Sequence, residues 1–187
     1  KNFVINHNLK PYLSNILASV SVLSNFLDIR KINKNIFLNF KIPDGRGDHS
    51  TIKINNKKIN LIDQSYNSNP LSLSSAIKNF DKIKSNKSKK YLLLGDMLEL
   101  GSYSKKLHES IAPLINQTKI DKVFVKGKMA SLIYKNILNS KKGKILSNNS
   151  QIDDLIRNDI KNNDYLMIKA SLGTGFNKIV NEIKGLN

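Results

Sequence analysis

Tyr91-Leu92-Leu93-Leu94-Gly95-Asp96-Met97-Leu98-Glu99-Leu100-Gly101 is the stretch on which the fold turns. Four apolar residues in a row, then a glycine and an acidic turn, read as a short strand buried on both faces and ending in a polar loop. Downstream the figure repeats. A helix is expected over 104–117, a strand over 122–126 with a helix over 129–139, a weak strand over 144–146 with a helix over 151–161, and a strand over 165–169 with a helix over 174–184. Upstream, a strand over 60–63 precedes a helix over 71–84. Residues 51–54 and 58–63 flank Asn55-Asn56 as a hairpin would. This alternation predicts an α/β fold: a Rossmann-like, mostly parallel sheet with helices on both faces. In such sheets ligands bind beyond the C-terminal ends of the strands.

The N-terminal part has another rhythm. Leu13, Ile16, Leu17, Val20, Leu23 and Leu27 recur at helical spacing, and Pro11 suits a first turn. A second, shorter helical stretch is expected over 32–40. Ile42-Pro43-Asp44-Gly45-Arg46-Gly47-Asp48 then breaks the pattern. The expected boundary divides 1–43 from 44–187. The chain opens on Lys1 in mid-pattern, so a fragment of a longer chain is expected.

Cysteine is absent, which excludes disulfides and thiolate metal sites and fits a reducing cytoplasm. No apolar run is long enough to span a bilayer. The net charge of +17 admits an anionic partner, but the lysines are scattered, with no block of five like charges, and they accompany abundant Asn and Ile. Codon bias with mild steering of anions accounts for that pattern.

Three loops at strand ends could carry chemistry. Asp63-Gln64-Ser65-Tyr66-Asn67-Ser68-Asn69-Pro70 is dense in hydrogen-bonding groups, although these are also ordinary turn formers. Asp96 and Glu99 could hold a cation or orient a polar substrate; equally, Asp96 could cap a helical turn. Lys169-Ala170-Ser171-Leu172-Gly173-Thr174-Gly175 opens a helix with backbone N–H groups and a lysine charge, both suited to an anion. Arg46 stands on a Gly-Arg-Gly turn in a chain that has only two other arginines, Arg30 and Arg157. Its planar fork matches phosphate; an exposed linker charge is the other reading. His108 reads as a packed or capping residue, and no metal site is expected. Gly127-Lys128 and Gly143-Lys144 are followed by Met and Ile, so neither is a P-loop.

Taken in order, these elements resemble the Mur ligase family: Gly-Arg, a strand into Asp-x-Ser-Tyr-Asn-x-Asn-Pro, Leu-Gly-Asp-Met-x-Glu-Leu-Gly, Ser-x3-His and Lys-x-Ser. The resemblance covers nearly the whole chain. It implies that 1–43 is the end of a central ATP-binding domain and 44–187 a C-terminal domain. The implied activity joins D-alanyl-D-alanine to UDP-N-acetylmuramoyl-tripeptide with ATP and Mg2+, through an acyl phosphate, in cytoplasmic peptidoglycan precursor synthesis. By the same resemblance Arg46 reaches ATP's terminal phosphates. Asn15 lies near the adenine, Asp63 holds the ribose, and Tyr66, Asn67 and Asn69 line the nucleotide edge. Asp96, Glu99, Lys169 and Ser171 lie toward the dipeptide. The phosphate cradle and magnesium ligands belong to residues outside this chain, which is therefore expected to be inactive alone. The implied partners are the two substrates and ATP, with no nucleic acid, no membrane insertion and a monomeric state. Departures from the family pattern are Gln64 after Asp63, Ala170 between Lys169 and Ser171, and Pro11 where a histidine is usual.

The alternative is a stand-alone basic α/β module for nucleotides or nucleic acid. It predicts basic residues gathered on one face with aromatics among them. A sister ligase that adds the third amino acid is disfavoured by the missing Asp-Asn-Pro-Arg-type loop.

Overall fold

A computed structural model describes residues 1–85 and 87–185, except the side chains of His7, Asn8 and Pro11. The chain divides into two compact units, Lys1–Pro43 and Asp44–Asn187.

In the first unit, a 3₁₀ turn, His7–Tyr12, leads into helix α1, Leu13–Leu23. Pro11 belongs to the 3₁₀ turn rather than the helix, and its side chain lies outside the described residues. Leu27 falls beyond the helix end. The helix expected over 32–40 does not form. Asp28 instead caps a 3₁₀ turn at Ile29–Lys31 by accepting from the Arg30 N–H. Phe37 forms a single parallel bridge to Ile5 and packs edge-on against Phe3 at 5.7 Å. Asn33 accepts from the Asn35 N–H, and this local bond competes with helix formation there.

The second unit is a six-stranded sheet. Strands β1, Asp48–Ile54, and β2, Lys57–Gln64, form an antiparallel hairpin. Its two-residue turn holds Asn55 and Asn56 at φ 47° and 61°, a left-handed pair that asparagine tolerates better than most residues. Helix α2, Pro70–Asp81, then leads to β3, Lys90–Gly95. Helices α3, Ser104–Glu109, and α4, Ala112–Asn116, precede β4, Lys122–Lys126. Helix α5, Ala130–Asn136, precedes β5, Lys142–Ile145; α6, Asn149–Asp154, precedes β6, Tyr165–Lys169; and α7, Phe176–Gly185, ends the fold.

The strand order is β1-β2-β6-β3-β4-β5, and every pairing except β1 with β2 is parallel. The last strand is thus inserted between β2 and β3. One core packs Tyr91, Leu93, Leu166 and Ile168 against α6 and α7; the other packs Leu92, Leu94 and Met167 against α2, α4 and α5. Both faces are covered, which is why these strands are apolar without alternation.

Two expected helices are interrupted within their span. The stretch 104–117 is cut between α3 and α4, where Pro113 enters the first turn of the second piece. Proline has no N–H to donate back, and its ring crowds the carbonyl four residues earlier. The stretch 151–161 leaves α geometry after Asp154 and widens into a π turn at Leu155–Asp159.

Candidate functional site

Inserting β6 between β2 and β3 brings three loops to one edge of the sheet. Lys169 pairs with Gln64 on one side and Leu94 on the other. The loop after β6 therefore runs between the loops after β2 and β3, and its side chains bond to both.

Lys169 is 2% exposed, and its Nζ donates to the Asn67 carbonyl at 2.8 Å. Burial pushes its amine down to about 8, because a charge removed from water loses hydration. Ser171 Oγ donates to the Ser68 carbonyl at 3.2 Å and accepts from the Leu98 N–H at 3.0 Å. The backbone repeats the link: Ser171 N–H donates to Asp96 O at 3.2 Å and Leu172 N–H to Tyr66 O at 3.1 Å. The Ser68 hydroxyl is buried with no hydrogen-bond partner among the described residues.

Asp63 faces inward. Its Oδ1 accepts from the Ser65 N–H and hydroxyl at 3.0 and 2.6 Å, and its Oδ2 from Lys184 Nζ at 3.2 Å. Lys184 also donates to Asp48 at 2.6 Å. Burial alone would lower the Lys184 amine, but the bonds and charges of Asp48 and Asp63 outweigh it and hold the amine above its ordinary value. Asp48 and Lys184 stand on the strand and helix flanking the motifs, and no spacing in the sequence marks them.

The Gly45-Arg46-Gly47 turn is docked on this assembly rather than loose. Gly45 N–H donates to Asp48 Oδ1 at 2.9 Å, Gly47 N–H to Asp63 O at 2.6 Å, and Tyr66 N–H to Gly45 O at 3.1 Å. Gly45 and Gly47 have φ of 74° and 98°, and a Cβ on Gly45 would lie 3.0 Å from Tyr66 Cβ. Only glycine meets both demands at Gly45. The docked turn holds the Arg46 guanidinium 4.2 Å over the Tyr66 ring, and both side chains are exposed.

The remaining candidates divide by what their side chains do. Asn69 caps α2, accepting from the Ser72 N–H at 2.8 Å while the Ser72 hydroxyl accepts from the Asn69 N–H. Asn67 is exposed. Asp96 Oδ1 accepts from the Ala130 N–H at 2.7 Å, across Gly127, whose φ is 138° and whose Cβ, if present, would fall on that carboxylate. Glu99 is exposed, with φ of 63°, at the tip of the loop. His108 is wholly buried; it accepts from the Met97 N–H at 2.9 Å, and its other ring nitrogen meets Ser104 O at 2.7 Å. It anchors the acidic loop from below, as the Ser104–His108 spacing of one helical turn permits. Asn15 lies on α1 in the first unit and is exposed.

Nine of the ten candidates thus lie on the second unit's three loops and docked turn. Some turn outward (Arg46, Tyr66, Asn67, Glu99), and others hold the loops (Asp63, Asn69, Lys169, Ser171). Among the described residues no group of three or more His, Cys, Asp or Glu side chains is placed to hold a metal ion. Among the same residues no helix is long and apolar enough to cross a membrane.

Residues 50–172 match the family model described as Mur ligase, glutamate ligase domain. A UDP-N-acetylmuramoyl-tripeptide--D-alanyl-D-alanine ligase from Bacillus subtilis is 30% identical over 128 residues, which are 67% of this chain and 28% of that protein. A ligase of the same name from Rickettsia prowazekii is 26% identical over 178 residues, 95% of this chain and 37% of that one. The chain therefore spans little more than a quarter to a third of these relatives. Among solved structures, MurF ligase from Thermotoga maritima in complex with ADP superposes with a TM-score of 0.68 at 21% identity, over 91% of this chain and 36% of that one. At that identity the superposition speaks for the fold.

Proposed function

The chain belongs to the Mur ligase family, and from that premise we propose that it contributes the C-terminal domain of a ligase joining D-alanyl-D-alanine to UDP-N-acetylmuramoyl-tripeptide. The observation that carries this reading is the ring of loops riveted by Lys169 and Ser171 at the ends of β2, β6 and β3. It is a preorganised polar edge built from the very motifs that resemble this member of the family.

In the proposed reaction the tripeptide carboxylate takes the terminal phosphoryl group of ATP, giving an acyl phosphate and ADP. The D-alanyl-D-alanine amine attacks the activated carbonyl, the amide forms, and phosphate and a proton leave. The protein's part is positioning and electrostatics. Arg46, stacked on Tyr66, meets the phosphates, with Asn67 at the nucleotide edge. Asn15 is read, by the family resemblance alone, as lying near the adenine. Asp63 shapes the nucleotide loop from within, and Asn69 does so by capping the helix that follows it. Asp96 and Glu99 face the dipeptide, and Lys169 and Ser171 hold the loops that carry them. The magnesium that accompanies ATP is read, by the family resemblance, as held by residues outside this chain. The first unit is read as the end of that ATP-binding domain. The 187-residue chain alone is read as inactive, and the complete protein as a cytoplasmic monomer.

The test is the product of the whole open reading frame that contains this chain, in which this reading predicts a Gly-x-x-Gly-Lys-[Ser/Thr] segment upstream of Lys1. Phosphate release should require both the UDP-linked tripeptide and D-alanyl-D-alanine. Release driven instead by a single amino acid would move the protein to another Mur ligase activity.

A further inference from the structure

The opposite edge of the sheet, where the parallel strands begin, has a different character. Lys82, Lys84, Lys87, Lys89 and Lys119 surround an open depression of about 730 Å³ between the end of α2 and the starts of β3 and β4. All five side chains are exposed. Among the described residues, none of the five forms an ion pair. Carboxylates are present on this edge, two of them in the lining of the depression, and they bond to backbone N–H groups. Asp81 accepts from the Lys119 N–H, Asp121 from the Lys90 N–H, and Asp164 from the Lys89 and Lys161 N–H groups. Other lysines of the edge are consumed in the same way: Lys90 Nζ donates to Asp81 O, and Lys141 Nζ to Thr118 O and Ile120 O. Six lysines line the depression against two aspartates, Asp81 and Asp121, so the edge keeps an excess of positive charge facing water. Codon bias supplies lysines, but it does not gather six of them around one depression.

We propose that this edge is a docking surface for the anionic face of a lipid bilayer. Two features favour lipid over nucleic acid. The cluster holds lysines and no arginine, so it offers point charges without the planar fork that grips phosphodiesters bidentately, and no aromatic ring lines the depression for bases to stack on. An aliphatic side chain accompanies it instead. Leu138 is 53% exposed on the same edge, its N–H held by Asn116 at the end of α4, where a headgroup layer could receive it. Four or more lysines beside an exposed apolar residue make a peripheral, salt-sensitive anchor, not an inserted one. Docked this way, the ring of loops lies at the far end of the strands, about 16 Å away for five residues, and remains open to soluble substrates.

The proposal does not depend on the ligase reading, and its test measures no catalysis. The purified 187-residue chain is sedimented with vesicles of phosphatidylcholine alone, or with about one third phosphatidylglycerol. It should partition onto the anionic vesicles at least about tenfold more strongly and lose that advantage in about 0.5 M salt, where the screening length falls to a few ångströms. The variant Lys82→Gln/Lys84→Gln/Lys87→Gln/Lys119→Gln should bind about tenfold more weakly while its thermal melt stays unchanged. A charge-matched variant, Lys105→Gln/Lys106→Gln/Lys128→Gln/Lys178→Gln, should stay within about threefold of wild type. Leu138→Ala should weaken binding about two- to fourfold. Equal loss in the two quadruple variants would reduce the effect to net charge and overturn the proposal. So would failure to bind anionic vesicles, or displacement from them by an RNA oligonucleotide that the first variant no longer binds.

Discussion

Helix α1 spaces Leu13, Ile16, Leu17, Val20 and Leu23 as an amphipathic helix should, yet none of its residues is buried, and Leu17 is 64% exposed. Helix α7 spaces Phe176, Ile179, Val180 and Ile183 in the same manner and buries all four against the sheet. Periodicity writes a helix in both cases. What differs is the surface each helix meets within its own unit: α7 closes one face of a six-stranded sheet, whereas among the described residues of Lys1–Pro43 only Leu9 is buried. Tertiary packing, more than helix propensity, supplies most of a helix's stability.

The largest effect is expected where burial is deepest. Phe176→Ala should destabilise the second unit by about 3–5 kcal/mol, because the ring fills space between α7 and the ends of β3 and β6 that the neighbours cannot collapse into. Denaturant unfolding monitored by circular dichroism measures it; a loss under about 1 kcal/mol would mean that α7 is no better supported than α1.

Next in size is Arg46→Lys in the complete ligase. The docked turn and the Tyr66 ring hold a planar guanidinium, and lysine keeps the charge but neither stacks nor forks. The kcat should fall on the order of ten- to a thousandfold, about 1.4–4 kcal/mol, with a smaller rise in KM for D-alanyl-D-alanine. Kinetics within about twofold of wild type would leave Arg46 as a structural turn residue.

Lys169→Met gives a pH-dependent effect. The folded amine titrates near 8 and the unfolded one near its ordinary 10.5. Between those values the unfolded chain holds a proton that the folded chain has released, so raising the pH favours folding. The wild-type melting temperature should therefore climb relative to Lys169→Met from pH 8 to above pH 10, and stay parallel to it below pH 7. Parallel curves throughout would mean that the amine is not buried as a charge.

The smallest effect belongs to α1. Leu17→Ala should change the unfolding of the second unit by less than about 0.5 kcal/mol, and removing residues 1–43 should leave 44–187 with a cooperative melt. A non-cooperative melt of that piece would show that the second unit does not fold alone.

Much of the fold was legible because its signals are local. Apolar runs of three or four residues announced β3, β4 and β6, and Asn55-Asn56 announced the hairpin. The errors were local too, and each has a visible cause: Pro113 divides one expected helix, and the Asn33 side chain competes for backbone hydrogen bonds where another was expected over 32–40. The loops of the candidate site could be found as polar segments following strands. Which of their side chains face outward could not, since Asp63, Lys169 and Ser171 look as available in the sequence as Tyr66 and Asn67.

By itself the sequence determined the strands, the hairpin turn, the three polar loops and their family resemblance, since each rests on residues close together in the chain. The tertiary structure alone decided that β6 enters between β2 and β3. That insertion sets Lys169 and Ser171 against Asn67 and Ser68, 102 and 103 positions away along the chain, and turns two polar side chains into rivets. Strand order is a property of how two helical layers cover a sheet, and no spacing of residues along one strand encodes it.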